Sequence, residues 1–141
     1  MEYVIGAGLA LAICTFAAVV GLDRQRAFYA TMVLVVATYY VLFAVLGGTV
    51  RSLLSETLVA IAFFVVAVVA FKKSEWLIVA GLVGHGVFDG FHHVLVDNPG
   101  VPAVWPGFCL SFDVVAGGYL AVLLVRRSKV ATCRSVQDAS A

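Results

Sequence analysis

The sequence predicts an all-α, polytopic integral membrane protein: a bundle of about five transmembrane helices, with the N-terminus outside and the C-terminus cytoplasmic. Three observations predict it. Of 141 residues, 63% are hydrophobic and only 12% charged, more apolar surface than a soluble domain of this size can hide. The apolar residues fall into five runs close to the roughly 17–25 residues that cross a bilayer. The basic residues fall unevenly between alternate loops.

The spans run from about Tyr3 to Leu22, Phe28 to Leu46, Leu53 to Phe71, Trp76 to Val96 and Phe108 to Val125. DRQR closes the first, GGTVR the second and KKSE the third. DNPGVPAVWP closes the fourth, since its prolines cannot continue a helix. RRSK closes the fifth. Residues 1–128 read as one membrane domain and 129–141 as a loose, polar cytoplasmic tail. With five spans, one side holds Arg24, Arg26, Lys72, Lys73, Arg126, Arg127, Lys129 and Arg134, and the other only Arg51. Positive-inside bias then sets the orientation. No basic residues precede the first span, which suits a retained span better than a cleaved signal peptide.

The composition also excludes classes of function. No basic cluster is interleaved with aromatics, so no nucleic-acid partner is expected. Cys14, Cys109 and Cys133 form no CxxC pair, which removes support for a thiol–disulfide relay. Every lysine lies at a membrane end or in the tail, which excludes a retinal Schiff base.

The informative stretch is GHGVFDGFHH, residues 84–93, which holds all three histidines of the chain inside the fourth span. At about 100° per residue, with His85 at zero, Asp89 falls near 40°, His92 near −20° and His93 near 80°. The four form one stripe, and Gly86 and Gly90 beside it make a GxxxG step for close helix approach. Asp113, on the fifth span, is expected at about the depth of Asp89 and His92; Glu56 and Tyr39 or Tyr40 can reach the same zone. Ionisable groups inside a membrane cost about 2.5–3.5 kcal/mol each on insertion scales, so they mark functional sites or interhelical networks. On the first span Gly6, Ala10, Cys14, Ala17 and Gly21 line one side as a close-packing seam. Tyr40 reads first as packing, and Cys109 as a small buried residue before a soft metal ligand.

Imidazole with carboxylate suits zinc, iron or manganese. On a regular helix His85 and His93 are separated by about 12 Å of rise and cannot share one ion. Three arrangements remain: one metal on Asp89 with His92 or His93 and an acid from another span, two metals bridged by Asp89, or a proton relay with no metal. The HxxxDxxHH pattern is locally similar to the histidine boxes of membrane di-iron hydroxylases and desaturases. The mix of His and Asp in a helical bundle is partly similar to zinc-dependent hydrolases of the ceramidase and adiponectin-receptor type.

A closer resemblance covers residues 84–118. His85, Asp89, His92 and His93, followed by Asn98, Pro99, Trp105, Pro106, Cys109 and Asp113, resemble the core of a family of small bacterial integral membrane proteins of unknown function. The resemblance implies that the two segments form one site.

The expectation is therefore a metal-dependent membrane enzyme, such as a hydrolase, in a bacterial cytoplasmic membrane. It would act on a lipid-like or apolar substrate, as a monomer or homo-oligomer. Asp89, His92 and His93 are the expected ligands of a divalent metal, zinc ahead of iron or manganese. Asp113 is expected as a further ligand or general base, and His85 as a proton shuttle. The alternatives are a proton or metal-ion transporter and a structural subunit held by a His–Asp packing network.

Overall fold

In the computed structural model, which describes residues 1–139, each expected span is a helix and no strand occurs among the described residues. The helices are α1 (Glu2–Val20), α2 (Arg26–Gly47), α3 (Val50–Lys73), α4 (Glu75–Leu95) and α5 (Trp105–Ala139). All five contain stretches long and apolar enough to cross a membrane, that of α5 being Trp105–Val130.

The helix ends follow from local chemistry. Gly21 closes α1 in the left-handed region at φ 82°, which costs a residue without Cβ little, and a 3-10 turn (Leu22–Arg24) leads into α2. Thr49 and Ser52 cap α3 reciprocally: Ser52 N donates to Thr49 Oγ1 at 3.1 Å and Thr49 N to Ser52 Oγ at 2.6 Å. Ser74 caps α4 by accepting from Trp76 N.

Two boundaries differ from the sequence expectation. α5 starts three residues early, at Trp105, because Pro106 sits in the first turn, where a helix has no internal partner for an N–H. α5 also carries on past Arg127, so the polar stretch expected as a loose tail is helical to Ala139. Residues 140 and 141 of that tail lie outside the described residues.

Helix α4 is the hub. It packs on α5, α3 and α2, while α1 packs on α5, and α2 on α3. Glycines set the closest approaches. A Cβ on Gly86 would lie 3.1 Å from the Leu110 carbonyl oxygen and 3.2 Å from Asp113 Cβ, so α5 rests against α4 at the level of the polar stripe. A Cβ on Gly117 would meet Val83 at 2.9 Å. The α1 seam buries Gly6, Ala10, Cys14 and Ala17, and a Cβ on Gly6 would overlap the Phe108 carbonyl. Across the bundle, Ala10, Val33, Ile78, Leu82 and Leu120 belong to one continuous apolar core.

The basic residues gather at one end. Arg26 Nη1 donates to the Phe71 carbonyl at 2.9 Å, and Arg127 Nη2 to the Asp23 carbonyl at 2.8 Å. Arg127 also lies 3.9 Å from Glu75. Arg51 lies in the first turn of α3, at the opposite end.

Candidate functional site

The stripe on α4 turns inward, but not all of it. His85, Asp89 and His92 are buried, whereas His93 is exposed. The arc of roughly 100° expected for the four is wider than the face that α2, α3 and α5 cover, and His93 is at its edge.

The buried groups divide into two clusters. In the deeper one, His85 Nδ1 donates to Asp113 Oδ2 at 2.7 Å, and Asp89 Oδ2 lies 3.3 Å from the same nitrogen. Asp113 reaches His85 because α5 starts at Trp105, which puts it about 12 Å into the helix, two turns or so. These three residues are fully buried and offer ligand atoms that all lie within 4.8 Å of one another. Both oxygens of Asp89 and Oδ1 of Asp113 are buried without a hydrogen-bond partner. Orphan carboxylate oxygens in an apolar bundle are costly, and each calls for an explanation such as a bound ion.

In the outer cluster, His92 Nε2 donates to Glu56 Oε1 at 2.7 Å. Asn98, from the loop between α4 and α5, donates to the same oxygen at 2.9 Å and to the Tyr40 carbonyl at 3.3 Å. Its Oδ1 accepts from Gly100 N at 3.1 Å, so one side chain ties the loop to α2 and α3. Glu56 Oε2 is buried and unpartnered.

Tyr40 lies between the clusters, its ring centroid 4.0 Å from that of His92 and 6.2 Å from that of His85. Its hydroxyl is buried without a hydrogen bond. Phe63 meets His85 edge-on at 4.7 Å and Phe88 meets His92 at 5.5 Å, which completes an aromatic collar. Cys109 is buried but is not among the grouped ligands.

A cavity of about 440 Å³ opens at the end of the bundle away from the basic residues and leads to this site. Asp89 and His92 line it, with His93, Asp97, Asn98 and Pro106. His85 and Asp113 do not line it.

Of the residues singled out in the sequence, the structure thus brings together His85, Asp89 and Asp113. It places His92 with Glu56 and leaves His93 on the surface of the cavity. Asn98 was visible in the sequence as the start of a turn-forming Asn-Pro step and as part of the resembled core, with no role attached. Its contacts to α2 and α3 depend on how the loop folds back, which no local signal reports.

The fold and site together define a class: an all-α bundle of membrane-spanning length with buried imidazole–carboxylate clusters between the middle of α4 and its C-terminal end. No protein-family model matches the chain, and no curated protein or solved structure matches it either. The resemblance over residues 84–118 rests on the ten residues that carry it, from His85 to Asp113.

Proposed function

We propose that this chain is a metal-dependent enzyme of a bacterial cytoplasmic membrane, a hydrolase acting on a lipid-like or otherwise apolar substrate. The observation that carries the reading is the His85–Asp89–Asp113 group: three buried donors within 4.8 Å, three buried carboxylate oxygens without a hydrogen bond, and a cavity reaching Asp89. One imidazole and two carboxylates suit zinc ahead of iron or manganese, and three protein ligands leave a position open. Ligand bonds of about 2.0–2.2 Å put neighbouring donors about 3.3 Å apart in a tetrahedral site. The His85–Asp89 separation of 3.3 Å already fits. The 2.7 Å His85–Asp113 hydrogen bond would open as the ion displaces the shared proton.

A divalent cation there supplies Lewis acidity and an acidified water at neutral pH. The chain's own residues supply the rest. With Nε2 of His92 donating to Glu56, the neutral ring keeps its lone pair on Nδ1. His92 lines the cavity, so it is the group placed to accept a proton from water entering there. Glu56 and Asn98 hold it in position. Orientation follows from the grouped basic residues: basic end cytoplasmic, cavity facing outward.

One observation favours a second reading, a proton or metal-ion transporter: polar groups run from Asn98 through His92 to His85 and Asp113. Against it, the face of α4 below His85 continues as Leu82, Gly81 and Ile78, all buried, with no polar step.

Elemental analysis of the detergent-purified protein, made without a histidine tag, tests the proposal. Near-stoichiometric zinc, iron or manganese is expected in the parent and lost in His85→Ala, Asp89→Asn and Asp113→Asn. No metal in the parent after reconstitution with each ion would overturn it and leave the clusters as a packing network or proton path. Ion flux in proteoliposomes would replace it with the transporter.

A further inference from the structure

A second feature lies away from the acid cluster. The α2 helix packs on α3 and α4 but stands off from α1 and α5, and the gap forms an apolar groove of about 610 Å³. Its walls include Ile13 of α1, Met32 and Val35 of α2, and Phe112 of α5. It starts at Leu22 and Gln25, beside the basic end, and finishes where Tyr39 and Trp105 meet edge-on at 5.2 Å.

Its dimensions select the occupant. Along α2 the groove runs from Ala27 to Tyr39, a rise of about 18 Å. That is close to one leaflet, about half of a hydrocarbon core roughly 30 Å thick. A single hydrocarbon chain of that leaflet spans this length.

Charge selects the head group. Gln25 lines the inner mouth, and Arg24 and Arg26 flank it in the chain. Arg24 is exposed, and Arg26 commits only one nitrogen to the Phe71 carbonyl. Basic residues at the end of a membrane helix attract acidic lipid head groups.

We propose that this groove binds an anionic phospholipid of the leaflet at the basic end. Its phosphate sits at Arg24, Gln25 and Arg26, and one acyl chain threads between α2 and the α1/α5 pair as far as Tyr39 and Trp105. Cys109 lines the groove at the same end. The assignment does not rest on a bound metal or on catalysis.

The test uses the full chain in vesicles of phosphatidylcholine doped with phosphatidylglycerol that carries a photoactivatable group near the end of one acyl chain. Cross-links should concentrate on Val35, Tyr39, Trp105 and Phe112, at the far end of the groove, and be sparse on Ile61, Val65 and Val69, which α3 exposes. Val35→Trp and Thr31→Trp, both at exposed positions, fill the groove without entering the core and should suppress the groove cross-links. Replacing Arg24 and Arg26 by Gln should lower the preference for phosphatidylglycerol over a phosphatidylcholine probe by about fivefold per arginine. Equal labelling of groove and α3, or labelling that Val35→Trp leaves unchanged, would overturn the proposal. So would equal labelling by the two head groups in the parent, or cross-links from Val35 to a second copy.

Discussion

Tyr40 stacks on His92 with ring centroids 4.0 Å apart and planes inclined by 18°, so an α2 side chain holds an α4 imidazole flat against it. The Tyr40 hydroxyl makes no hydrogen bond of good geometry, although Asp89 is near enough to interact with it. The stacking contact itself is made by the ring. Tyr40→Phe should leave stability within about 0.5 kcal/mol of the parent, while Tyr40→Ala should cost about 3–5 kcal/mol through the cavity it leaves. Reversible unfolding in mixed micelles measures both. If Tyr40→Phe proved as damaging as Tyr40→Ala, the hydroxyl would have a partner and this account would fail.

The other contact of His92 joins α4 to α3. Glu56 accepts from both His92 and Asn98 through Oε1, so Glu56→Ala strands two buried donors at once. Glu56→Gln keeps an oxygen acceptor there. Interhelical hydrogen bonds in membranes average about 0.6 kcal/mol and reach about 1.7. A double-mutant cycle between Glu56→Ala and His92→Phe should show coupling near the upper figure, because burial is complete on both sides. Coupling indistinguishable from zero would mean that the 2.7 Å contact contributes no net stability.

A sharper discrimination separates the neighbouring histidines. His93→Ala should keep full metal content, since His93 is exposed at the cavity surface, whereas His85→Ala should lose it. Parallel elemental analysis of the two variants decides the matter. Loss of metal on removing His93 would restore the ligand set of Asp89, His92 and His93 expected from the sequence.

That contrast shows where sequence reasoning stops. The five spans were legible because lipid demands long apolar runs, and charge or glycine interrupts each one. Gly86 and the Gly6–Ala17 seam were legible as contact faces because small residues at helical spacing have few other uses in a membrane. Helix phase alone put His85, Asp89, His92 and His93 within one arc. Dividing that arc into a cluster with Asp113, a cluster with Glu56 and an exposed residue takes the positions of neighbouring helices. Asp113 meets the stripe at Asp89 and His85 rather than at His92, which the packing of α5 on α4 decides. Asn98 was illegible as a tie between helices because its partners, Glu56 and the Tyr40 carbonyl, are far away in the chain.

Glycines of the same helix should differ sharply in tolerance. Gly86 has Leu110 O and Asp113 Cβ within about 3.2 Å of where a Cβ would stand, whereas Gly84 has no neighbour within 4 Å. Gly86→Val should force α5 away from α4 and cost about 1–3 kcal/mol from overpacking. It should also loosen the His85–Asp113 contact and lower metal affinity. Gly84→Ala should be neutral or slightly stabilising, since a helical glycine is about 0.5–1 kcal/mol less favourable than alanine. Thermal unfolding of the two variants separates them, and equal tolerance would mean that α4 and α5 do not approach as closely as described.

The orientation makes a prediction that needs neither activity nor metal. Ala103 lies exposed in the loop between α4 and α5, near the cavity, and Lys73 is exposed at the basic end of α3. Cys14 and Cys109 are buried and should not react with a maleimide; Cys133 is changed to Ser to remove its background. In intact cells a membrane-impermeant maleimide should then label Ala103→Cys but not Lys73→Cys, and permeabilisation should expose the second. The reverse pattern would put the cavity on the cytoplasmic side. It would also move the anionic-lipid groove to the outer leaflet, because Arg24 and Arg26 share the end of the bundle that carries Lys73. Labelling of both positions in intact cells would contradict a five-span arrangement altogether, since three crossings separate the groove mouth from the cavity loop and one separates Lys73 from Ala103.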